Sequence, residues 1–225
     1  MIVDLVSYTQ GPITTCAIAA SMCYDSEPSH TVVKKCIESG HMSVLEHCSF
    51  TFKIIGVSRA LLAQLTRHRL ASFCVASQRY IDYSDKKIDF VISTVQGMDK
   101  VTESAQASLD TYKQLIADGV KPENARAVLP NCMPTNLVMT VNLRELATIC
   151  NLRMCTHAQS EISTLMFKIR NTLMNYPNIS QEDKEIFDML LVPACETHSI
   201  SFCPESKSCG RHKTLKELLE EKNAE

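Results

Sequence analysis

The even positions from 48 to 54 carry apolar side chains, and the odd positions between them carry polar ones. This period of two predicts a strand with one buried face, which Gly56 is expected to end. Residues 2–8 alternate more weakly and predict an opening strand. Residues 90–92 and 137–141 predict two further strands.

Longer stretches repeat apolar residues at intervals of three and four, which is the spacing of one helical face. The three apolar stripes are Ala105, Leu109, Tyr112 and Ile116; Leu143, Leu146, Ala147 and Cys150; and Ile162, Leu165, Met166, Ile169 and Leu173. Each stripe predicts a helix that packs against a core. On the second helix, Arg144, Thr148 and Asn151 fall together on the opposite, polar face.

Shorter helices are predicted mainly by the residues at their ends. Ser29 is a suitable N-cap for a helix over residues 30–39, and Gly40 a suitable stop. Residues 14–23 predict another short helix. Residues 215–220 predict a short surface helix near the C-terminus.

A helix that begins at Ser58 follows the alternating strand. Gln64, Arg67 and His68 are three and four residues apart, so they are expected to share one face of this helix. The strand, turn and helix would then place a cationic cluster at the edge of a sheet.

Composition limits the class of protein. With 225 residues, of which 45% are hydrophobic, the chain is long enough to bury a core. The net charge of -2 argues against a protein that coats nucleic acid or an anionic membrane. Eleven cysteines without a recognisable secretory segment predict free thiols in a reducing compartment, and we expect a cytoplasmic protein.

Residues 67–80 form the most unusual stretch of the chain. Three cationic or titratable side chains open it, Arg79 follows near its end, and no carboxylate lies between Arg67 and Tyr80. Guanidinium groups bind phosphate oxygens in pairs of hydrogen bonds, and histidine also donates to phosphate. The stretch therefore predicts a site for a phosphorylated small molecule. The alternative is a helix end, where cations complement the negative end of the helix dipole.

The order Arg67-His68-Arg69, seven residues, then Ser77-Gln78-Arg79-Tyr80 resembles the signature of the flavin-dependent thymidylate synthases. Residues 41–47 resemble the family's His-x-Ser/Thr-x-x-Glu-His segment, and residues 151–161 resemble its Asn-Leu-Arg…His-Ala-Gln-x-Glu segment. Arg126 lies in a sequence similar to the family's Arg-x-Val-Leu-Pro motif. All the blocks follow the family's order at compatible spacing.

This resemblance implies an α+β fold with a mainly antiparallel central sheet flanked by helices. It implies a single domain over residues 1–225, of which residues 195–225 form a C-terminal extension. The implied reaction is the reductive methylation of dUMP to dTMP, with FAD as cofactor and methylenetetrahydrofolate and NADPH as co-substrates. The implied assembly is a homotetramer with active sites shared between subunits, and neither nucleic acid nor a membrane is an expected partner.

The resemblance also assigns roles to residues of this chain. Arg153 matches the position held against the pyrimidine, where a fixed cation favours an ionised ring, and it is the expected catalytic residue. The expected nucleotide contacts are Gln64, Arg67, Ser77, Gln78, Arg79, Arg126 and Arg153. The expected flavin contacts are His41, Ser43, Arg67, His68, Arg69, Val75, Asn142, Arg144, Thr148 and His157. Ser77 is interpreted as a binding hydroxyl, because no activating base is apparent nearby in the sequence.

Three positions depart from the family pattern. Val75 and Ala76 stand where several relatives carry polar side chains, and Thr148 replaces an Asn. Backbone groups at residues 75 and 76 are left to hold the ligand there. We expect weaker binding or a changed order of substrate binding.

The C-terminal region gathers five possible metal ligands within eighteen residues, namely Cys195, His198, Cys203, Cys209 and His212. Their pattern allows a zinc clip, but structural zinc sites more often pair ligands two to four residues apart. His41 and His47 also lack a tight zinc spacing. The expected site therefore contains no metal ligand.

Two other classes of function stay open at this point. A regulatory module that binds a nucleotide or oligonucleotide through residues 67–69, without turnover, would show steep salt dependence and no yellow chromophore. An interaction domain built around the C-terminal Cys and His residues would contain stoichiometric zinc. Neither class explains why three blocks occur in one family's order.

Overall fold

The structure is a computed structural model that describes residues 1–93 and 97–224. The strands are β1 (Ile2–Tyr8), β2 (Ser49–Ser58), β3 (Ala71–Val75) and β4 (Pro134–Asn142). The α-helices are α1 (Pro12–Tyr24), α2 (His30–Glu38), α3 (Arg59–Leu65), α4 (Met98–Ala117), α5 (Pro122–Ala125), α6 (Leu143–Arg153), α7 (Ser160–Met174), α8 (Gln181–Leu190) and α9 (Leu215–Ala224). Short 3-10 helices cover Met42–His47, Arg126–Val128 and Ala194–Glu196. Within the two described ranges, no helix is both long and apolar enough to cross a membrane.

The four strands form one antiparallel sheet in the order β1-β2-β4-β3. Phe50, Phe52 and Ile54 of β2 are fully buried, which confirms the face predicted from the alternation. The fold is thus the predicted α+β class, with an antiparallel sheet and surrounding helices. The predicted domain boundaries stay a prediction.

Two predictions about strands are wrong. Gly56 does not end β2, because it adopts a φ of 72° and its N–H donates to the Asn136 Oδ1 of β4 at 3.0 Å. A left-handed φ is accessible to glycine without strain, so the strand continues to Ser58. Residues 90–92 lie outside any strand, although the Val91 N–H donates to the Cys132 carbonyl at 2.9 Å.

The described chain divides into two compact units. The first comprises Met1–Ile2 and Lys53–Met139. Its core contains Tyr83 and Tyr112, whose rings meet edge to face at 6.1 Å, together with Leu109 of α4. The predicted stripe on α4 is therefore confirmed as its buried face.

The second unit comprises Val3–Phe52 and Thr140–Glu225. Its core contains the predicted stripes of α6 and α7 together with Phe187 of α8, whose ring meets Phe50 edge to face at 5.6 Å. Two fully buried thiols, Cys16 and Cys48, lie 3.5 Å apart in this core. The hydrogen bond with the Cys16 thiol, together with burial, raises the pKa of Cys48 far above its ordinary value.

Helix starts agree with their sequence signals. The hydroxyls of Ser29 and Ser58 accept from the N–H of the third residue onward, at 3.3 and 2.9 Å. Asn142 does the same for α6, where its side chain accepts from the Glu145 N–H at 2.8 Å. Each cap satisfies a backbone donor that the helix leaves unpaired, so β2 and β4 pass directly into α3 and α6.

Candidate active site

The cationic triplet does not lie on a helix face. α3 ends at Leu65, and the Thr66 hydroxyl donates back to the Leu62 carbonyl at 2.9 Å. The Thr66 N–H still donates to a carbonyl four residues back, but the N–H groups of Arg67 and His68 donate to carbonyls only three residues back. This tighter turn directs the chain away from the helix axis. The prediction that both residues share a face with Gln64 of α3 is therefore wrong.

The tight turn separates the environments of the triplet. His68 is buried, whereas Arg67 and Arg69 are exposed. The imidazole is therefore enclosed by the first unit, while the two guanidinium groups are exposed to solvent. Two outward cations on one turn suit a diphosphate, and the buried ring suits a positioning role.

The backbone at Ala76 is already engaged within the chain. Its N–H donates to the Asn136 carbonyl at 2.9 Å, and its carbonyl accepts from Arg59 Nη2 at 2.6 Å. The Ala76 N–H is therefore not available to replace the missing side chain as expected. Val75, the last residue of β3, is half-buried.

Arg59 was not identified from the sequence. It is the first residue of α3, and it ties that helix to the segment directly before Ser77. Its Nε is buried and has no hydrogen-bond partner among the described residues. A cation at the start of an otherwise apolar helix was the available signal, but its partner could not be read from the sequence.

Ser77, Gln78 and Arg79 lie in a turn after β3. The Ser77 Oγ accepts from the Arg79 N–H at 3.2 Å, and its carbonyl accepts from the Ile81 N–H at 3.0 Å. The hydroxyl thus stabilises the turn, and its role as a binding hydroxyl stays a prediction. Gln78 is half-buried in this turn.

A single acidic residue brings two predicted nucleotide contacts together. Arg79 Nε donates to Glu123 Oε2 at 2.8 Å, and Arg126 Nε donates to the Glu123 carbonyl at 3.1 Å. Both bonds use Nε, so the edge of each guanidinium formed by its two Nη atoms is not used by them. Glu123, which lies in the first turn of α5, was not identified from the sequence. We call these three residues the Glu123 cluster.

The second unit presents the predicted flavin contacts of residues 41–47. Buried Val44 and Leu45 anchor the 3-10 helix, while Ser43 and Glu46 are exposed on it. His41 precedes the helix and is also exposed. The anchoring pair therefore fixes the direction in which the polar side chains point.

Arg144 joins this segment to α6. Its Nη1 lies 2.5 Å from Glu46 Oε1, and both side chains are about half exposed. The Thr148 hydroxyl donates to the Arg144 carbonyl at 3.1 Å, one turn along the same helix. Glu46, Arg144 and Thr148 thus form one polar surface. Burial raises the pKa of the neighbouring Glu145 carboxyl, and the Arg144 charge partly opposes this effect.

Asn151 lies three residues after Thr148 on α6. Its amide donates to the carbonyls of Leu190 and Val192 at 3.3 and 2.6 Å, so it holds the end of α8. Thr148 and Asn151 line the same cavity, in agreement with the predicted shared face, but the Asn151 amide is already used within the fold. The sequence could not reveal this contact, because the partners lie about 40 residues away.

The remaining predicted residues lie near the end of α6. Arg153 is its last residue and is half-buried, and His157 follows in an exposed turn. Asn142 begins the helix and already uses its side-chain oxygen as the cap. Its side-chain N–H₂ is the group that remains for a ligand.

Comparisons with known proteins identify the family of this chain. Residues 4–176 match the family Thy1, described as thymidylate synthase complementing protein. The flavin-dependent thymidylate synthase of Geobacter sulfurreducens is 36% identical over 98% of this chain and 99% of its own length. The enzyme of the same name from Pyrococcus furiosus is 33% identical over 90% of this chain and 89% of its own length.

The fold is also that of a solved structure. Flavin-dependent thymidylate synthase ThyX from Helicobacter pylori, complexed with FAD and dUMP, superimposes with a TM-score of 0.71. The match covers 85% of this chain and 100% of that one, at 24% identity, and it shows the fold alone. On the sequence matches, this chain belongs to the Thy1 family, the family of the flavin-dependent thymidylate synthases.

Proposed function

We propose that this chain catalyses the flavin-dependent reductive methylation of dUMP to dTMP, with methylenetetrahydrofolate as one-carbon donor and NADPH as reductant. The full-length match to a relative named for this activity supports the reaction. Within the chain, the observation that supports it best is the Glu123 cluster, which brings Arg79 and Arg126 together from separate motifs.

The Glu123 cluster suits the phosphate of a nucleotide. A phosphate monoester carries close to two negative charges at neutral pH, and guanidinium groups bind its oxygen atoms through paired hydrogen bonds. Because the Glu123 carboxylate offsets one of the two guanidinium charges, the cluster balances part of the phosphate charge. Glu123 orients both arginines through Nε, so their Nη edges are left to bind oxygen atoms. The nucleotide would then also contact Gln64, Ser77 and Gln78.

The chemistry of the available donors fits FAD. Arg144 already pairs with an anionic group, the Glu46 carboxylate. The diphosphate of the cofactor would take the place of this carboxylate as the anion bound by Arg144. Arg67, His68 and Arg69 would supply the other charged contacts, and His41, Ser43, Asn142, Thr148 and His157 the polar ones. Bound FAD would supply the hydride chemistry that reduction of the one-carbon unit requires.

Arg153 has the catalytic role in this proposal. It ends a helix whose opposite face is buried, so its backbone is held by the core of the second unit. A fixed guanidinium against the pyrimidine stabilises negative charge on the ring, which makes the reacting carbon more nucleophilic. The residue acts by charge and position and does not itself form a covalent bond.

We propose a homotetramer in which subunits share active sites. Large apolar side chains are strongly exposed at Met22 (77%), Leu70 (71%) and Val6 (61%), and contacts between copies would bury such side chains. Sedimentation of the purified protein measures this assembly. All eleven cysteines are free thiols in the described residues, which supports the proposed cytoplasmic location.

An absorbance spectrum of the purified protein tests the function. We expect a flavin spectrum that NADPH bleaches, and dTMP formation when dUMP and methylenetetrahydrofolate are added. Arg153→Ala should keep the yellow colour and lose methyl transfer. Arg170→Ala is the matched control, because Arg170 pairs with Asp188 on α8 and has no proposed role in the site. Absence of flavin after reconstitution with FAD would overturn the proposal.

A further inference from the structure

The C-terminal segment from residue 194 onward is folded with almost no core. Among its residues whose exposure is described, only Cys203 is buried. The Cys203 N–H donates to the Lys213 carbonyl at 2.8 Å, and the Ser208 hydroxyl donates to the carbonyl of His212. These bonds close a loop, but small elements without a hydrophobic core usually need a disulfide or a metal for stability.

The loop closure brings three metal-ligating side chains together. One ligand atom from each of Cys195, Glu196 and His212 lies within 4.8 Å of the other two. Cys195 and Glu196 belong to the 3-10 helix Ala194–Glu196, and His212 comes from the far end of the loop. Ligand atoms around tetrahedral zinc are about 3.5 Å apart, so a shift of roughly 1 Å completes the geometry.

We propose that Cys195, Glu196 and His212 bind a structural zinc ion. A thiolate, a carboxylate and a neutral imidazole are all zinc ligands, and together they balance the charge of the ion. Arg211 Nη1 lies 3.3 Å from Glu196 Oε1 and would hold this carboxylate from outside the ligand shell. The alternative is a metal-free ion cluster of Glu196 with Arg211 and protonated His212, which lies 3.7 Å away.

The three residues leave a fourth coordination position, which water can occupy. A cavity of about 320 Å³ lies beside the three residues and is lined by Cys195 and His212. Two more thiols, Cys203 and Cys209, line the same cavity, but neither belongs to the group of ligand atoms that lie within 4.8 Å of one another. Thr148 of α6 also lines this cavity. Zinc would therefore fix the part of the cavity lining that the C-terminal segment supplies.

Metal analysis of the full-length protein tests the proposal directly. We expect about one zinc ion per chain after growth and purification without chelator. Cys195→Ser and His212→Ala should each lower the zinc content at least tenfold. The matched controls are Cys23→Ser and His198→Ala, an exposed thiol and an exposed imidazole outside the cluster, which should keep it.

Zinc K-edge X-ray absorption of the unchanged protein keeps the test independent of how the variants fold. A zinc–sulfur distance of about 2.3 Å, together with zinc–nitrogen and zinc–oxygen distances of about 2.0 Å, supports the proposal. A chain that holds no zinc even after reconstitution, or a shell without sulfur, overturns it. Equal zinc in the parent and in both cluster variants also overturns it. None of these measurements depends on flavin or on turnover.

Discussion

α6 and the C-terminal segment line the same cavity, but different forces hold them. α6 buries Leu143, Leu146 and Ile149 completely, so its register is set by the core. In the C-terminal segment, Cys203 is the one buried side chain among those described, and polar contacts close the loop. The comparison shows that the site's helix is positioned by burial, whereas the facing loop depends on a few polar groups.

Truncation of a core residue on α6 should lower stability far more than truncation of a residue in the C-terminal segment, and this is the largest effect that we expect. Leu146→Ala is expected to lower the free energy of unfolding by about 2–5 kcal/mol, because it leaves a cavity in a close-packed core. Leu219→Ala on α9, where the side chain is 53% exposed, should change it by less than about 0.5 kcal/mol. Urea unfolding of both variants measures the free energy of unfolding. A similar loss in the two variants would contradict the claim that only α6 is positioned by burial.

Removal of Arg59 tests whether a polar contact can position the site in the first unit. Arg59→Met should cost about 1–2 kcal/mol, since the Ala76 carbonyl loses a charged donor, while the buried Nε no longer lacks a partner. We expect KM for dUMP to rise several-fold with little change in kcat. Lys53→Met, at an exposed position of β2, is the control. An unchanged KM would exclude the positioning role.

Loss of the cap on α6 should have a smaller effect than loss of its core. Asn142→Ala is expected to cost about 1 kcal/mol, because the Glu145 N–H loses its acceptor. Asn142→Ser should restore most of the stability but not the side-chain N–H₂. If flavin affinity stays low in Asn142→Ser, Asn142 also contacts the cofactor. Full recovery of affinity would limit Asn142 to capping.

The smallest expected effect concerns the start of α9. Thr214 and Glu217 form a capping box, in which Glu217 Oε2 accepts from the Thr214 N–H at 2.6 Å. These bonds lower the pKa of the Glu217 carboxyl from 4.5. The stabilisation of α9 by the ionised Glu217 carboxylate is therefore fully present above pH 4.5 and is lost as the pH falls through the lowered pKa. The protection factors of amides in α9, which correct for the intrinsic pH dependence of exchange, should fall only in this acid range, and Glu217→Gln should remove the dependence.

Local patterns predicted most elements of the fold, because they depend on neighbours in sequence. The stripe of α6 and the cap at Ser58 are examples that the structure confirms. Contacts between distant residues were not predictable in this way. Asn151 bonds carbonyls about 40 residues away, and Arg79 pairs with Glu123 across 44 positions. The end of α3 at Leu65 was missed because a run of helix-compatible residues does not show where the chain turns.

The buried thiols of Cys16 and Cys48 allow the unfolding rate of the second unit to be measured by chemical labelling. A thiolate reacts with alkylating reagents and a protonated thiol does not, so the raised pKa of Cys48 and its complete burial both prevent labelling of the folded chain. Cys23 and Cys74 are exposed and can react at once. The delay between the two classes of modification, followed by mass spectrometry, reports the rate at which the second unit unfolds.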